Sequence, residues 1–238
     1  MIDLPILYEN DAFLAINKPP GIVVNRAASV KGETVQDWAE ERVRSSQFIV
    51  HSEQEKEFVN RAGIVHRIDK ETSGILLIAK TPDAFVELQR QFKERIVKKT
   101  YLAIVHGELK PDKGEIRAPV GRLPWNRERF GIVPGGKESM TKYTCIKCLV
   151  SGVTHEKISL VELHPETGRT HQIRVHMKYI NHPIIGDYLY AGRKTSRNDR
   201  KWAPRVMLHA WKLVCLDPAA SVPIEIVAPI PDDMSSIL

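Results

Sequence analysis

The sequence predicts an α/β fold, and three observations carry that expectation. Apolar runs of strand length punctuate the chain, Phe13–Ile16, Ile75–Ile78 and Leu102–Val105 among them. Between such runs, residues 34–45 and 81–97 repeat apolar side chains at helical spacing. The 238 residues, 42% hydrophobic and 27% charged, suffice for a proper core in one large domain or two small ones.

Lys+Arg 35 against Asp+Glu 29 leaves a net charge of +6, which permits a polyanionic partner without demanding one. No run of about 18 apolar residues exists, so no membrane-spanning helix is expected. Met1-Ile2-Asp3-Leu4-Pro5 lacks the basic-then-apolar layout of a secretory signal. Cys145, Cys148 and Cys215 are odd in number and sparse, which fits a reducing, cytoplasmic setting.

Residues 6–25 read as two strands around the tight turn Lys18-Pro19-Pro20-Gly21, with β-branched Ile22-Val23-Val24 as the second strand. Thr34 caps a helix reaching about Ser45, its stripe formed by Val35, Trp38, Ala39 and Val43. Residues 44–60 are polar and poorly periodic, and read as mostly a connection. Thr81-Pro82-Asp83 is a strong helix start, followed by the stripe Phe85, Leu88, Phe92 and Ile96 to about Val97. Arg90, Lys93, Arg95, Lys98 and Lys99 gather towards its end, suited either to the helix dipole or to a polyanion such as a nucleic acid.

Lys99–Gly107 reads as a strand ending in glycine. Residues 110–139 are rich in Gly, Pro and charge, with Trp125 and Phe130 among Arg122, Arg127 and Arg129. Two readings stay open there: a clamp on single-stranded RNA, or a solvated loop that tucks one Trp into the core. Thr141–Val150 and Lys157–Leu163 look like paired strands. Cys145-x-x-Cys148 on the first lacks a second pair or suitably spaced histidines, so no zinc site is expected. Residues 192–205 hold six basic side chains against Asp199 and read as an exposed, RNA-facing loop, with a solvated variable loop as the alternative. Val206–Leu213 reads as another strand.

Two stretches carry chemistry. In the first, Val65-His66-Arg67-Ile68-Asp69-Lys70-Glu71-Thr72-Ser73-Gly74 sets one acid among polar residues directly before a buried-looking strand. In the second, Glu166-Thr167-Gly168 reads as a turn and Thr170 as the cap of a helix carrying Ile173, Met177 and Ile180. Arg169 then lies at that helix's entrance, where free N–H groups attract phosphate. Arg174 projects from its second turn. His171 and His176 are five apart and do not share a face as a metal pair does.

The first stretch resembles the His-Arg-Leu-Asp-x-x-Thr-Ser-Gly-Leu-Leu-Leu-x-Ala-Lys signature of the RluA-type RNA pseudouridine synthases, with Ile68 and Ile75 in place of Leu. The second reproduces that family's Thr-Gly-Arg-Thr-His-Gln-Ile-Arg-Val-His motif. Asn17-Lys18-Pro19-Pro20-Gly21, Lys99-x-Tyr101-x-Ala103-x-Val105-x-Gly107, His182–Asp187 with Tyr190, Leu208-His209-Ala210 and the Ala228–Asp233 ending continue the pattern in order.

The resemblance implies one pseudouridine synthase catalytic domain over residues 1–238, without a separate N-terminal RNA-binding domain. It implies a mixed, mostly antiparallel sheet with a central RNA-binding cleft flanked by helices and loops. The implied activity isomerises uridine in tRNA, ribosomal RNA or both, by base flipping and an aspartate-dependent exchange of a C–N for a C–C glycosidic bond. Asp69 is the implied catalytic aspartate, Arg174 its partner, and Tyr101 the residue against the base. Arg67, Arg169, Thr170, His171 and Gln172 are the expected substrate contacts, the Asn-Lys-Pro turn is an expected brace beside the cleft, and Asp187 is read as structural.

Such a reaction moves no electrons and releases no group to solvent, so no cofactor or metal is expected. RNA is the expected partner, with no membrane and no obligate protein partner, and a monomer as the expected state. A rival from another class is a catalytically silent RNA-binding protein, against which Asp69, Tyr101 and Arg174 count. A zinc-dependent deaminase lacks the ligand spacing it requires.

Overall fold

Alternation of buried strands with amphipathic helices produces a mixed α/β architecture. A computed structural model describes residues 2–43 and 50–238, the side chains of Arg127 and Glu128 excepted. The chain begins with β1 (Ile6–Glu9), β2 (Phe13–Lys18), α1 (Val35–Val43), α2 (Glu53–Asn60), β3 (Ser73–Ala79) and α3 (Pro82–Lys93). It continues through β4 (Lys98–His106), β5 (Lys113–Arg117), β6 (Val120–Leu123), β7 (Asn126–Ile132), β8 (Met140–Val150) and β9 (Lys157–Pro165). It closes with α4 (Gln172–Tyr179), α5 (Arg193–Asp199), β10 (Leu208–Leu216), β11 (Pro223–Val227) and α6 (Asp232–Ser235). No helix among the described residues is long and apolar enough to cross a membrane. Met1–Lys98 with Ala210–Pro229 form one compact unit, and Lys99–His209 with Ile230–Leu238 form a second.

In the first unit the strands run β1-β2-β3-β10, with β11 on β10, and the β1–β2, β2–β3 and β10–β11 pairings are antiparallel. Every residue of β3 is buried, as its unbroken apolar run requires. Phe58 of α2 and Phe85 of α3 meet edge to face at 5.8 Å over a core that includes Phe13, Leu77 and Leu213. Thr81 caps α3 by accepting from the Ala84 N–H at 3.2 Å, with Pro82 in the first turn. Gln91 leaves that helix buried and pairs with the Leu216 backbone through both its amide nitrogen (3.0 Å) and its oxygen (2.9 Å).

Several sequence expectations need correction here. The strand paired with Phe13–Lys18 precedes it, at Ile6–Glu9; residues 22–24 are not a strand, and the Val23 and Val24 carbonyls accept from Val35 and Gln36 at the start of α1. Part of the expected connection 44–60 is helix α2, started by a reciprocal capping box between Ser52 and Glu55. Helix α1 begins at the Thr34 cap as expected, while its expected end at Ser45 lies outside the described residues. Helix α3 stops at Lys93, and Arg90 is engaged by Glu87 and Glu94.

The second unit orders its strands β4-β9-β8-β5, all antiparallel, and sets β6 and β7 apart as a two-stranded ribbon. Residues 110–139 thus contain three strands, and Trp125, at the ribbon's turn, is 80% exposed, which overturns the reading that tucks it into the core. Residues 192–205 include helix α5 instead of a continuous loop. Arg193, Lys194, Arg197 and Lys201 are exposed, but Arg200 donates to the Gly186 and Pro204 carbonyls, and buried Arg205 grips Asp233 through Nε (2.6 Å) and Nη2 (2.8 Å). That pair ties the segment before β10 to the C-terminal helix.

Helix α4 packs through a fully buried histidine. His176 Nε2 lies 3.1 Å from the Ala118 carbonyl, which only accepts, so Nε2 carries the proton and Nδ1 accepts from the Thr141 hydroxyl at 2.9 Å. Burial pushes the His176 pKa below its ordinary 6.5.

Two outcomes follow from this packing. Gly74 sits at φ +108°, and a Cβ there would overlap the Ala210 carbonyl oxygen, so Gly74→Ala should cost about 2 kcal/mol or more in urea unfolding; a variant as stable as the wild type would contradict the close approach. Because the His176 pKa is lower in the folded than in the unfolded chain, the unfolded chain takes up the proton first, and stability falls as pH drops through about 6.5. His176→Asn should flatten that slope by up to one proton between pH 7.5 and 5.5, and an unchanged slope would contradict a neutral buried imidazole.

Candidate active site

The first chemical stretch sits on a loop fixed at both ends in the first unit. Upstream, Ile64 bridges to Ile78 of β3, and the Leu77 N–H donates to His66 Nε2 at 3.0 Å while the His66 ring packs on Phe92 at 4.5 Å. His66 is therefore an anchor of the loop. Downstream, the Thr72 N–H donates to the Asp69 carbonyl at 3.1 Å, closing a turn that leads into β3. Ile68 and Thr72 are buried, Asp69 between them is half-buried, and Arg67 is exposed. A loop with buried flanks thus presents the Asp69 and Glu71 carboxylates and the Arg67 and Lys70 cations at its surface.

Lys18 braces this loop from beneath. Its side chain is fully buried, and its ammonium donates to the carbonyls of Pro19 (2.8 Å), Ile22 (3.0 Å) and Lys70 (3.1 Å), three acceptors for a group with three protons. Gly21 N–H also donates to the Lys70 carbonyl at 2.8 Å. The Asn17–Gly21 turn and the Asp69 turn are therefore joined at one backbone acceptor, the Lys70 carbonyl.

In the second unit, Tyr101 lies half-buried on β4, paired with Leu163 of β9. The other stretch, residues 167–176, is organised by Gln172. Its side chain is buried, its oxygen accepts from the Thr167 hydroxyl (2.6 Å) and the Arg169 N–H (3.1 Å), and its nitrogen donates to the Met140 carbonyl and the Thr141 hydroxyl, each at 3.0 Å. With Thr141 also serving His176, one buried network joins the turn, helix α4 and strand β8. Gln172 thus uses both amide hydrogens and its oxygen within this network. Thr170 is exposed and is not the helix cap: His171, in left-handed conformation at φ 56°, holds that position. Arg169 is half-buried, and its Nε is buried without a hydrogen-bond partner.

Arg174 belongs to the first turn of α4, one turn earlier than expected, and is buried. Its Nε donates to Asp187 Oδ2 at 2.7 Å and its Nη2 to Asp187 Oδ1 at 2.9 Å, a two-point pair with a fully buried carboxylate. Asp187 Oδ1 also accepts from the Leu189 (3.0 Å) and Tyr190 (3.2 Å) N–H groups, so the acid that orients the guanidinium shapes its own turn too. The Tyr190 ring lies 5.1 Å beneath the Arg174 guanidinium, and its hydroxyl meets His171 Nδ1 (2.8 Å) and accepts from the Phe130 N–H (3.1 Å).

The second unit thus gathers Arg174, His171, Asp187 and Tyr190, while Asp69 and Arg67 share a loop of the first unit. Sequence reasoning missed the buried ammonium of Lys18 and the joint role of Asp187 and Tyr190. A lysine inside an apolar strand, and a Gly-Asp pair followed by tyrosine three residues later, were the available signals. Among the described residues, no group of three or more His, Cys, Asp or Glu side chains could hold a metal ion.

Comparisons with known proteins bear on this geometry. Residues 12–179 match the family model described as RNA pseudouridylate synthase. The chain is 39% identical over 241 residues to ribosomal large subunit pseudouridine synthase D of Nitrosomonas europaea, covering 100% of this chain and 65% of that protein. It is 38% identical over 242 residues to the protein of the same name from Neisseria meningitidis, covering 99% of this chain and 60% of that one. The chain therefore spans less than two thirds of these relatives' length. A solved structure of human RNA pseudouridylate synthase domain containing 1 superposes with TM-score 0.74 at 29% identity, over 95% of this chain and 83% of that one. With its two motif stretches within the matched span, the chain belongs to the RNA pseudouridylate synthase family.

Proposed function

We propose that this protein isomerises uridine to pseudouridine in RNA, with Asp69 as its catalytic carboxylate. The observation that carries the reading is the presentation of Asp69: a half-exposed acid on a loop whose neighbours Ile68 and Thr72 are buried, seated on a wholly buried strand and braced by Lys18. Surface acids on ordinary loops need no such support. An acid that must meet a reacting sugar within a few tenths of an ångström does.

The chemistry assigns a role to each group. The carboxylate either attacks the sugar or stabilises positive charge there while the N-glycosidic bond breaks. The uracil turns and rejoins through C5; the C5 proton is then lost and N1 ends protonated, so the product is an isomer and no co-reactant is consumed. Arg174, permanently cationic and held by Asp187, supplies fixed positive charge that favours the ionised acid. Tyr101 packs on the uracil or hydrogen-bonds it. A base inside a stack is out of reach, so the target nucleotide is everted at a cost of a few kcal/mol. Phosphate contacts by exposed Arg67 and half-buried Arg169 offset that cost. The name borne by the Nitrosomonas and Neisseria relatives favours ribosomal RNA as substrate, with tRNA as the alternative.

The test uses wild type and Asp69→Asn on ribosomal and transfer RNA from cells lacking the protein, with pseudouridine mapped by position. The expected result is product at defined uridines for the wild type, loss by about a thousandfold or more for Asp69→Asn, and RNA affinity within threefold for both. Product formation by Asp69→Asn at near wild-type rate sinks the assignment. Tight RNA binding with no product from the wild type in either RNA class hands the protein to the silent-binder reading.

A further inference from the structure

The β6–β7 ribbon carries a feature that the isomerisation chemistry leaves unused. Leu123 pairs with Asn126, so Pro124 and Trp125 form its turn, and Trp125 is 80% exposed. No other large hydrophobic side chain among the described residues is so exposed. A two-stranded ribbon is marginal by itself, yet this one is firmly seated. Val120 is buried with Val175 of α4 and Tyr190, and Phe130 and Ile132 pack on that cluster. The Phe130 ring meets His171 edge to face at 5.6 Å, and its N–H donates to the Tyr190 hydroxyl. The ribbon is therefore an arm rooted on the elements that hold Arg174.

Its reach and its charge identify what it meets. Four residues of strand separate Phe130 from Asn126, so the tip stands about 13 Å beyond the root. That distance carries Trp125 clear of the cluster of Val120, Val175 and Tyr190 on which the arm is rooted, into solvent. Arg122, exposed, lies with its guanidinium 5.2 Å from the Phe130 ring, and half-buried Arg129 flanks it, so the arm offers cations for a backbone and an indole for a base. An indole held in water on a fixed stalk suits stacking on a flat, unpaired base, which every nucleotide offers whatever its sequence.

We infer that Trp125 is a stacking platform for an unpaired RNA base outside the target nucleotide, with Arg122 on the adjoining phosphate. Paired bases are closed to it, so the arm selects substrates whose uridine lies beside single-stranded sequence. This rests on the reading of RNA as the substrate and is independent of the role of Asp69.

The test measures binding of the full chain to an unstructured RNA oligonucleotide and to a perfect RNA duplex of equal length, by anisotropy of labelled RNA. Trp125→Ala should weaken binding to the single strand about tenfold and leave the duplex within twofold. Trp125→Phe, which keeps a ring, should restore single-strand binding to within threefold of wild type. Equal affinity of Trp125→Ala and wild type for the single strand overturns the inference, as does an equal loss on both RNAs. A wild type that sediments as a dimer, with Trp125→Ala a monomer, also overturns it, because the indole then meets a second copy of the chain. Failure to form pseudouridine with the stacking effect intact would count against the isomerase reading alone.

Discussion

Everything in the second unit turns on keeping a guanidinium charged, buried and still. Arg174 cannot shed its proton, so the interior must supply a carboxylate or forgo the residue. Asp187 answers with two parallel hydrogen bonds, and two backbone N–H groups saturate what remains of its Oδ1. Replacing such a pair with apolar side chains is often neutral or stabilising, whereas breaking it costs about 3–5 kcal/mol. A buried ion pair is thus weak evidence for stability. It is better understood as the cost of holding a cation at one place and one angle.

The same logic governs both motif loops. A loop that bears function usually moves, because its backbone groups turn to water. Here side chains take those groups instead. Lys18 gathers three carbonyls beneath the Asp69 loop, and Gln172 binds the Arg169 N–H and the Met140 carbonyl beside α4. Each brace is buried, so its bonds face no competition from solvent. Motif residues thus divide into those that build the loop (His66, Thr167, Gln172, His176) and those that the loop presents (Arg67, Asp69, Arg169). His171 stands between the groups, its left-handed backbone turning the chain into the helix while its ring rests against Tyr190 and Phe130.

This division explains what was legible in the sequence. Strands such as Ser73–Ala79 and helix Pro82–Lys93 announced themselves because burial on both faces and a Thr-Pro start leave local marks. Helix Glu53–Asn60 leaves a fainter mark although Ser52 and Glu55 form a capping box, because Phe58 alone supplies its buried side and no stripe develops. The strands of 113–132 were hidden by glycines and charges that suit an exposed ribbon as well as a loop. Basic residues deceived in the opposite sense: Arg200 and Arg205 read as surface charge, but their partners, the Gly186 carbonyl and Asp233, lie 14 and 28 residues away. The burial of Gln172 and the choice of Asp187 as orienting acid are likewise tertiary facts, which no local pattern encodes.

The most direct measurement of the central claim, that Asp187 aims Arg174 for catalysis, is single-turnover pseudouridine formation by Asp187→Asn at saturating RNA. It should be run at a temperature where circular dichroism shows the variant folded. The expected result is a rate constant about 10- to 100-fold below wild type, with the RNA dissociation constant changed less than threefold. A folded Asp187→Asn protein that turns over at the wild-type rate would contradict the claim.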